Sequence, residues 1–276
     1  FGRTGVPEAI ELESGETREI EIRFQERISI VEPSERVTLP AGPRVSLPIS
    51  WTAPGGAEHY TLELQIMMRD DENRITGWSG VPFARELRTE RYELELEGLE
   101  LWAPAPVSYG NAGLLPSAVL GAWYPGALLG VRVIAFDESG RMLSDSEGLL
   151  YSSSANYPLL VVTTNEALPD QFREALSATT DANYEDALRL WKDALRGLSG
   201  ESPIDPQRRT ELSMAAHLAL ARLYARLPND LHDRDLARDH YRSLLSLAEE
   251  YAGNLPLEIR REMEAYGVRS AFASPG

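Results

Sequence analysis

The sequence predicts a multidomain chain in which an antiparallel β-sandwich is followed by an α-helical domain, and three observations lead there. Apolar and polar residues alternate with a period of two along much of the chain up to Thr163, which is the signature of half-buried strands. Beyond Thr164 the apolar positions recur every three to four residues, and alanine, leucine and arginine dominate. The composition, 43% hydrophobic and 25% charged over 276 residues, is that of a globular chain longer than one typical domain. General disorder, collagen-like chains and coiled coils are excluded on that ground. The predicted boundary lies near residue 165.

Residues 1 to 36 read as an N-terminal β-hairpin or edge strands. Ile10 and Leu12, then Ile20, Ile22 and Phe24, alternate with charged residues on either side of Ser14-Gly15. A disordered acidic arm is the competing reading. From 37 to 164 the strand signals continue. Val45, Leu47, Ile49 and Trp51 alternate up to Thr52-Ala53-Pro54-Gly55-Gly56, and Tyr60, Leu62, Leu64 and Ile66 alternate up to Arg69-Asp70-Asp71-Glu72-Asn73. Further strands are predicted at Tyr92 to Leu96, Leu128 to Phe136 and Leu149 to Ser152, with Asp137-Glu138-Ser139-Gly140 as a hairpin turn. Short strands punctuated by Pro, Gly and Asp turns indicate a sandwich.

The run VSLPISWTAPGGAEHYTLEL, in which Trp51 ends one strand and Tyr60 opens the next, and the later run YPGALLGVRVIAFDESG resemble paired strands of a fibronectin type III domain. The resemblance covers roughly residues 40 to 150 and is one of pattern. It implies an immunoglobulin-like or fibronectin-like antiparallel sandwich that serves adhesion or spacing, with no particular ligand. One departure stands out. The family usually places a tyrosine near the start of its penultimate strand, where this chain has Leu128 or Leu129.

The helical domain, 165 to 276, is predicted to hold helices at Asp181 to Leu198, Gln207 to Leu227, Asp233 to Tyr251 and Leu257 to Tyr266, with a weaker one at Asp170 to Ala178. Pro256 starts the last of these, and Gly267 follows it as a C-terminal cap. Ala187, Trp191 and Ala194 form a small-large-small series at i, i+4, i+7. Leu220, Ala221 and Tyr224, followed by Ala237, Tyr241 and Leu244, resemble the first and second helices of a tetratricopeptide repeat. Ala187 to Ala237 spans 50 residues, against a family period of about 34. The excess falls in Gly200 to Pro206 and Pro228 to Asp233. The resemblance therefore implies degenerate repeats, a plain helical bundle being the alternative, and two hairpins fall short of the three repeats that usually stand alone.

Charge and composition narrow the function. The net charge is −16, with 13 basic against 24 acidic residues up to position 165 and 14 against 19 beyond it. Acidic surfaces repel phosphate backbones, so neither nucleic acid nor an anionic membrane is expected as a partner. Lys192 is the sole lysine beside 26 arginines, a bias that reflects a GC-rich genome more simply than a chemical requirement. With no cysteine, disulfides, thiolate nucleophiles and Cys-ligated metals are absent, and the redox compartment is not encoded. The chain starts at Phe1, as a processed secretory protein or a trimmed one would. The expected setting is the periplasm, the cell envelope or the secreted fraction, with the cytoplasm as the alternative.

No catalytic motif is found around His59, His217, His232 or His240, so no enzyme activity and no cofactor are expected. The polar stretch Asn229 to Asp235, with Asp239 and His240 beyond it, matches no calcium-loop spacing and carries Arg234 and Arg238 among its carboxylates. Asp233 or Asp235 is better explained as a helix N-cap, and no metal is expected. Two candidate binding sites remain. Leu101 to Val131 is a run of 31 residues without a charge, and its four prolines in the first 25 positions bar a membrane-spanning helix. Within a sandwich it reads as an apolar insert at about 101 to 125, whose Trp102, Tyr109, Trp123 and Tyr124 offer a partner or glycan surface; the competing reading is that it covers an open edge. At least two of the four aromatics are expected at the surface. The second candidate is Arg222 with Arg226, one turn apart on a predicted groove-lining face, where two guanidinium groups would take a carboxylate; the competing reading is a solvated face paired with nearby Asp and Glu. The expected function is a non-enzymatic scaffold that binds another protein or peptide, with a carbohydrate-binding module as the alternative and an enzyme with an unrecognised site as the third reading.

Overall fold

A computed structural model of the chain describes residues 27–42, 44–69, 75–102, 109–110, 113–146, 159–199, 204–227, 231–250 and 255–269. It has an antiparallel β-sheet region followed by a helical region with six helices among the described residues. The alternating positions of 1 to 26, the predicted strand at Leu149 to Ser152 and the acidic turn Asp70-Asp71-Glu72 lie outside the described residues. The chain divides into two compact units, and each is discontinuous in sequence. The first comprises Phe1–Val37, Leu47–Leu94 and Leu129–Leu159; the second comprises Thr38–Ser46, Glu95–Leu128 and Leu160–Gly276. The apolar insert thus groups with the helices, whereas the sequence reading groups it with the sandwich.

Most of the longer strands follow from the alternation. β1 (Ile30–Glu32), β2 (Val37–Pro40), β3 (Arg44–Trp51), β4 (His59–Arg69), β5 (Ile75–Leu87) and β6 (Arg91–Glu97) come first in the chain. The two-residue strands β7 (Tyr109–Gly110) and β8 (Gly113–Leu114) pair with each other, and β9 (Leu128–Phe136), β10 (Met142–Asp145) and β11 (Leu159–Thr163) complete the set. One sheet has the order β1-β3-β6. In the other, β4 pairs antiparallel with β5 on one side, Leu64 facing Val81, and with β9 on the other, Leu64 facing Val131. β10 returns against β9 through the predicted Asp137–Gly140 turn, in which Gly140 takes φ +78° and the Asp137 carboxylate accepts from the amides of Ser139 and Arg141. Leu47, Ile49 and Trp51 of β3, and Tyr60, Leu62, Leu64 and Ile66 of β4, are the buried alternate positions. Trp51 and Tyr60 meet edge to face with ring centroids 5.3 Å apart.

The sequence places no strand between Asn73 and Tyr92, yet β5 fills thirteen of those positions. Gly77, Gly80 and Pro82 read as breakers. They are accommodated because β5 is an edge strand, and Pro82, opposite Glu63, sits where the register with β4 shifts.

The second unit carries the helices. α1 (Pro116–Leu120) lies in the insert, and α2 (Asp170–Thr180), α3 (Tyr184–Leu198), α4 (Pro206–Arg226), α5 (Arg234–Glu250) and α6 (Leu257–Ala265) follow. Caps explain several ends. Asp205 accepts from the Arg208 amide at the start of α4, with Pro206 at the first helical position. The Asp233 carboxylate accepts from the amides of Asp235 and Leu236 at the start of α5, the role the sequence suggests. Gly267, at φ +73°, closes α6. α2 packs on α3, α3 on α4 and α4 on α5. Ala187, Trp191 and Ala194 of α3 and Ala237, Tyr241 and Leu244 of α5 are the buried stripes. α4 is different: every residue from Leu218 to Tyr224 is buried, so it is enclosed on all sides.

Candidate functional site

The enclosure of α4 decides the fate of the two arginines. The stretch from Leu218 to Tyr224 has no outward face, and Arg222, within it, has no solvent exposure. This corrects the expectation of a groove-lining Arg222. Its guanidinium instead takes a carboxylate of the same chain: Nε donates to Glu262 Oε2 and Nη2 to Glu262 Oε1, both at 3.0 Å, from α4 to α6. The bidentate geometry anticipated for a ligand is thus already in use. The remaining nitrogen, Nη1, donates to the carbonyls of Trp102 at 2.5 Å and Val119 at 2.9 Å. Arg226, one turn on, donates to the carbonyl of Ala118 and lies 3.1 Å from Glu262 Oε2.

The chemistry of the acceptors explains the arrangement. Trp102 ends a 3₁₀ turn, Gly98–Trp102, and Ala118 and Val119 stand in the last turn of the five-residue α1. Carbonyls at helix ends lack an intrahelical partner, and a cation is the favoured group there. The Tyr241 hydroxyl adds a donation to Glu262 Oε2 at 3.2 Å. Burial alone would raise the Glu262 carboxyl. The charge and hydrogen bonds of Arg222, then Arg226 and the Tyr241 hydroxyl, outweigh it and hold Glu262 below the ordinary carboxylate range. Burial, reinforced by Glu262, pushes the Tyr241 hydroxyl up.

Two of the four aromatics of the insert, Trp102 and Trp123, are interior, which corrects the expectation that these two offer an exposed surface. Trp102 and Trp123 are 9% and 4% exposed. Tyr124 is half-buried, and the side chain of Tyr109 lies outside the described residues. Trp102 meets Phe172 of α2 and Trp191 of α3 edge to face at 6.5 Å and 6.0 Å, and those two meet each other at 4.8 Å. Trp191 Nε1 donates to Thr179 Oγ1 at 2.9 Å, so the buried indole is satisfied. The two candidate sites are therefore two halves of one internal contact in the second unit. The insert supplies carbonyls that the α4 cations bind, and the Trp102 indole packs on Phe172 and Trp191.

Two features of the second unit remain open to other chemistry. A narrow crevice of about 20 Å³ is lined by Trp102, Trp123, Phe172, Leu212 and Glu211 among others. The Trp123 indole Nε1 is buried without a hydrogen-bond partner. Elsewhere, His217 of α4 and His240 of α5 face each other with their Nδ1 atoms 3.0 Å apart. Sequence reasoning missed both because each joins residues far apart in the chain. Among the described residues no three His, Asp or Glu side chains gather as a metal site, and no helix is long and apolar enough to cross a membrane.

No family model and no curated protein matches the chain. Among solved structures, that of murine CRIg aligns with 50% of this chain and all of its own length, at 12% identity and a TM-score of 0.25.

Proposed function

We propose that the chain is a non-enzymatic interaction or scaffold protein of the cell envelope or secreted fraction, a fibronectin-like sandwich joined to a degenerate tetratricopeptide-like helical module. The observation that carries this reading is the packing of α2 to α5 in chain order, each helix on the next, with the small-large-small series of α3 and the Ala237, Tyr241 and Leu244 stripe of α5 buried. Nearest-neighbour stacking of helical hairpins is the architecture of repeat modules that present side chains to a partner. The strongest charged cluster, Arg222 with Arg226 and Glu262, is spent on holding the insert and has no free valence for a substrate carboxylate. Partner contact then falls to the outer faces, where α5 carries Asp235, Arg238, Asp239 and Arg242 in i, i+3 ion pairs.

The test is retention of partners from a native envelope fraction by the tagged chain, compared with the variant Arg242→Glu, Arg242 being the more exposed of the two arginines. A discrete partner held by the wild type at low salt and lost from the variant, whose melting temperature is unchanged, is the expected result. Equal recovery by both, or none by either, overturns the docking role of this face.

A carbohydrate-binding role is the second reading, supported by the unpartnered Trp123 Nε1, although that atom is buried and the crevice beside it is too narrow for a sugar ring. Glycan-array binding by the wild type that Trp123→Phe abolishes would establish it, and a blank array removes it.

A further inference from the structure

The His217–His240 pair has a property that neither histidine has alone. A hydrogen bond between two Nδ1 atoms requires one ring to donate Nδ1–H and the other to present an Nδ1 lone pair. In the donor ring Nε2 is then the basic atom, and a proton added there produces an imidazolium that still donates from Nδ1. The bond survives and gains charge assistance. A second proton has only the acceptor's Nδ1 to occupy. Two cationic N–H groups would then face each other at 3.0 Å, and the rings must part.

We propose that this pair is a two-proton latch between α4 and α5, which tolerates the first added proton and is released by the second.

The surroundings set the direction. Both rings are half-buried, and Tyr224 of α4 stacks on His240 with centroids 5.8 Å apart and planes 7° from parallel. From α3, Lys192 places its ammonium 5.3 Å from the centroid of the Tyr224 ring, adding positive potential that opposes a cation on His240. On α5 itself Asp239 acts in the opposite sense, more weakly. Burial, the largest influence, pushes each imidazole down to about 4. An unfolded histidine binds its proton near pH 6.5. The folded pair therefore binds fewer protons than the unfolded chain between about pH 6.5 and 4, so stability is lost as pH falls through that window, and the latch itself opens at its acid end, where the second proton binds. What opens is the contact between the central helix and α5, which bears Tyr241 and hence one of the donors to Glu262.

The test follows the wild-type chain by ¹⁵N NMR of the imidazoles and by amide exchange of α5, corrected for intrinsic rates, from pH 7.5 to 4. Two coupled titration steps, both below the ordinary histidine range, are expected, and α5 protection should fall at least about tenfold with the second step alone. His217→Asn and His240→Asn, each leaving one titratable ring, should lose that second step even if their overall stability is lower. Independent titration of both rings near pH 6.5, or the same pH profile of α5 exchange in the wild type and both variants, overturns the latch.

Discussion

Arg222 shows how much a single buried side chain can hold. Its guanidinium is fully desolvated, and every nitrogen is engaged, two by Glu262 and one by two carbonyls. A pair of this kind adds little over an apolar replacement of both partners, but removal of one partner leaves the other buried and uncompensated. Arg222→Met should therefore cost about 3 to 5 kcal/mol, measured by denaturant unfolding, because it orphans two carbonyls and leaves Glu262 to Arg226. A loss below about 1 kcal/mol would mean that the site refills with water or relaxes. Glu262 also gives a pH dependence with a defined sign. Its folded pKa lies below the unfolded one, so its contribution is present above the unfolded value and is lost as pH falls through the folded value. In Glu262→Gln that part of the acid limb should flatten, and an unchanged acid limb would show that the carboxylate is not held as described. The packing aromatics are the complementary case. Trp191 and Tyr241 are 0% and 1% exposed, and alanine at either should cost about 3 to 5 kcal/mol. Their burial was legible in the sequence, since each follows an alanine by four positions on a helix whose opposite face is charged. The role of Arg222 was not. Its carboxylate lies 40 residues away, and its other acceptors are backbone carbonyls, which leave no mark in the sequence.

At the scale of elements, helix ends were the most readable feature, because caps are local. Asp233 before α5 and Gly267 after α6 occupy the predicted positions, and α3, α4, α5 and α6 end within a residue of expectation. Strands were less readable. β9 matches the predicted Leu128 to Phe136, whereas β5 is hidden by its glycines and Pro82, residues whose local preference is overridden by pairing along β4. The cap reading is testable. Asp233→Ala should destabilise the chain by about 1 kcal/mol, the usual worth of an N-cap carboxylate. Chelation with EDTA should leave the melting temperature unmoved, because the Asp233 oxygen is used by the amides of Asp235 and Leu236. A fall of several degrees that calcium or zinc reverses would reassign this turn as a metal loop.

At the scale of the whole chain, hydrophobic period and tertiary grouping give different partitions. The period changes from two to nearly four close to residue 165, but the second compact unit also draws in Thr38–Ser46 and Glu95–Leu128. The cause is physical: an uncharged segment rich in Trp, Pro and Gly cannot remain solvated, and here its indole and carbonyl groups meet Trp191, Arg222 and Arg226 within that unit. Sequence periodicity cannot report this, because the insert has no period. A fragment beginning at residue 165 should consequently fail as an independent domain. It would expose the Trp191 face that Trp102 covers and strand the Arg222 cation without the Trp102 and Val119 carbonyls. Far-ultraviolet circular dichroism of such a fragment should retain helix, while the near-ultraviolet signal of Trp191 and the cooperative thermal transition are lost, the signature of secondary structure without fixed packing. A sharp transition with native near-ultraviolet intensity would show that the helices need no insert, and that the boundary written in the hydrophobic period is also the boundary of folding.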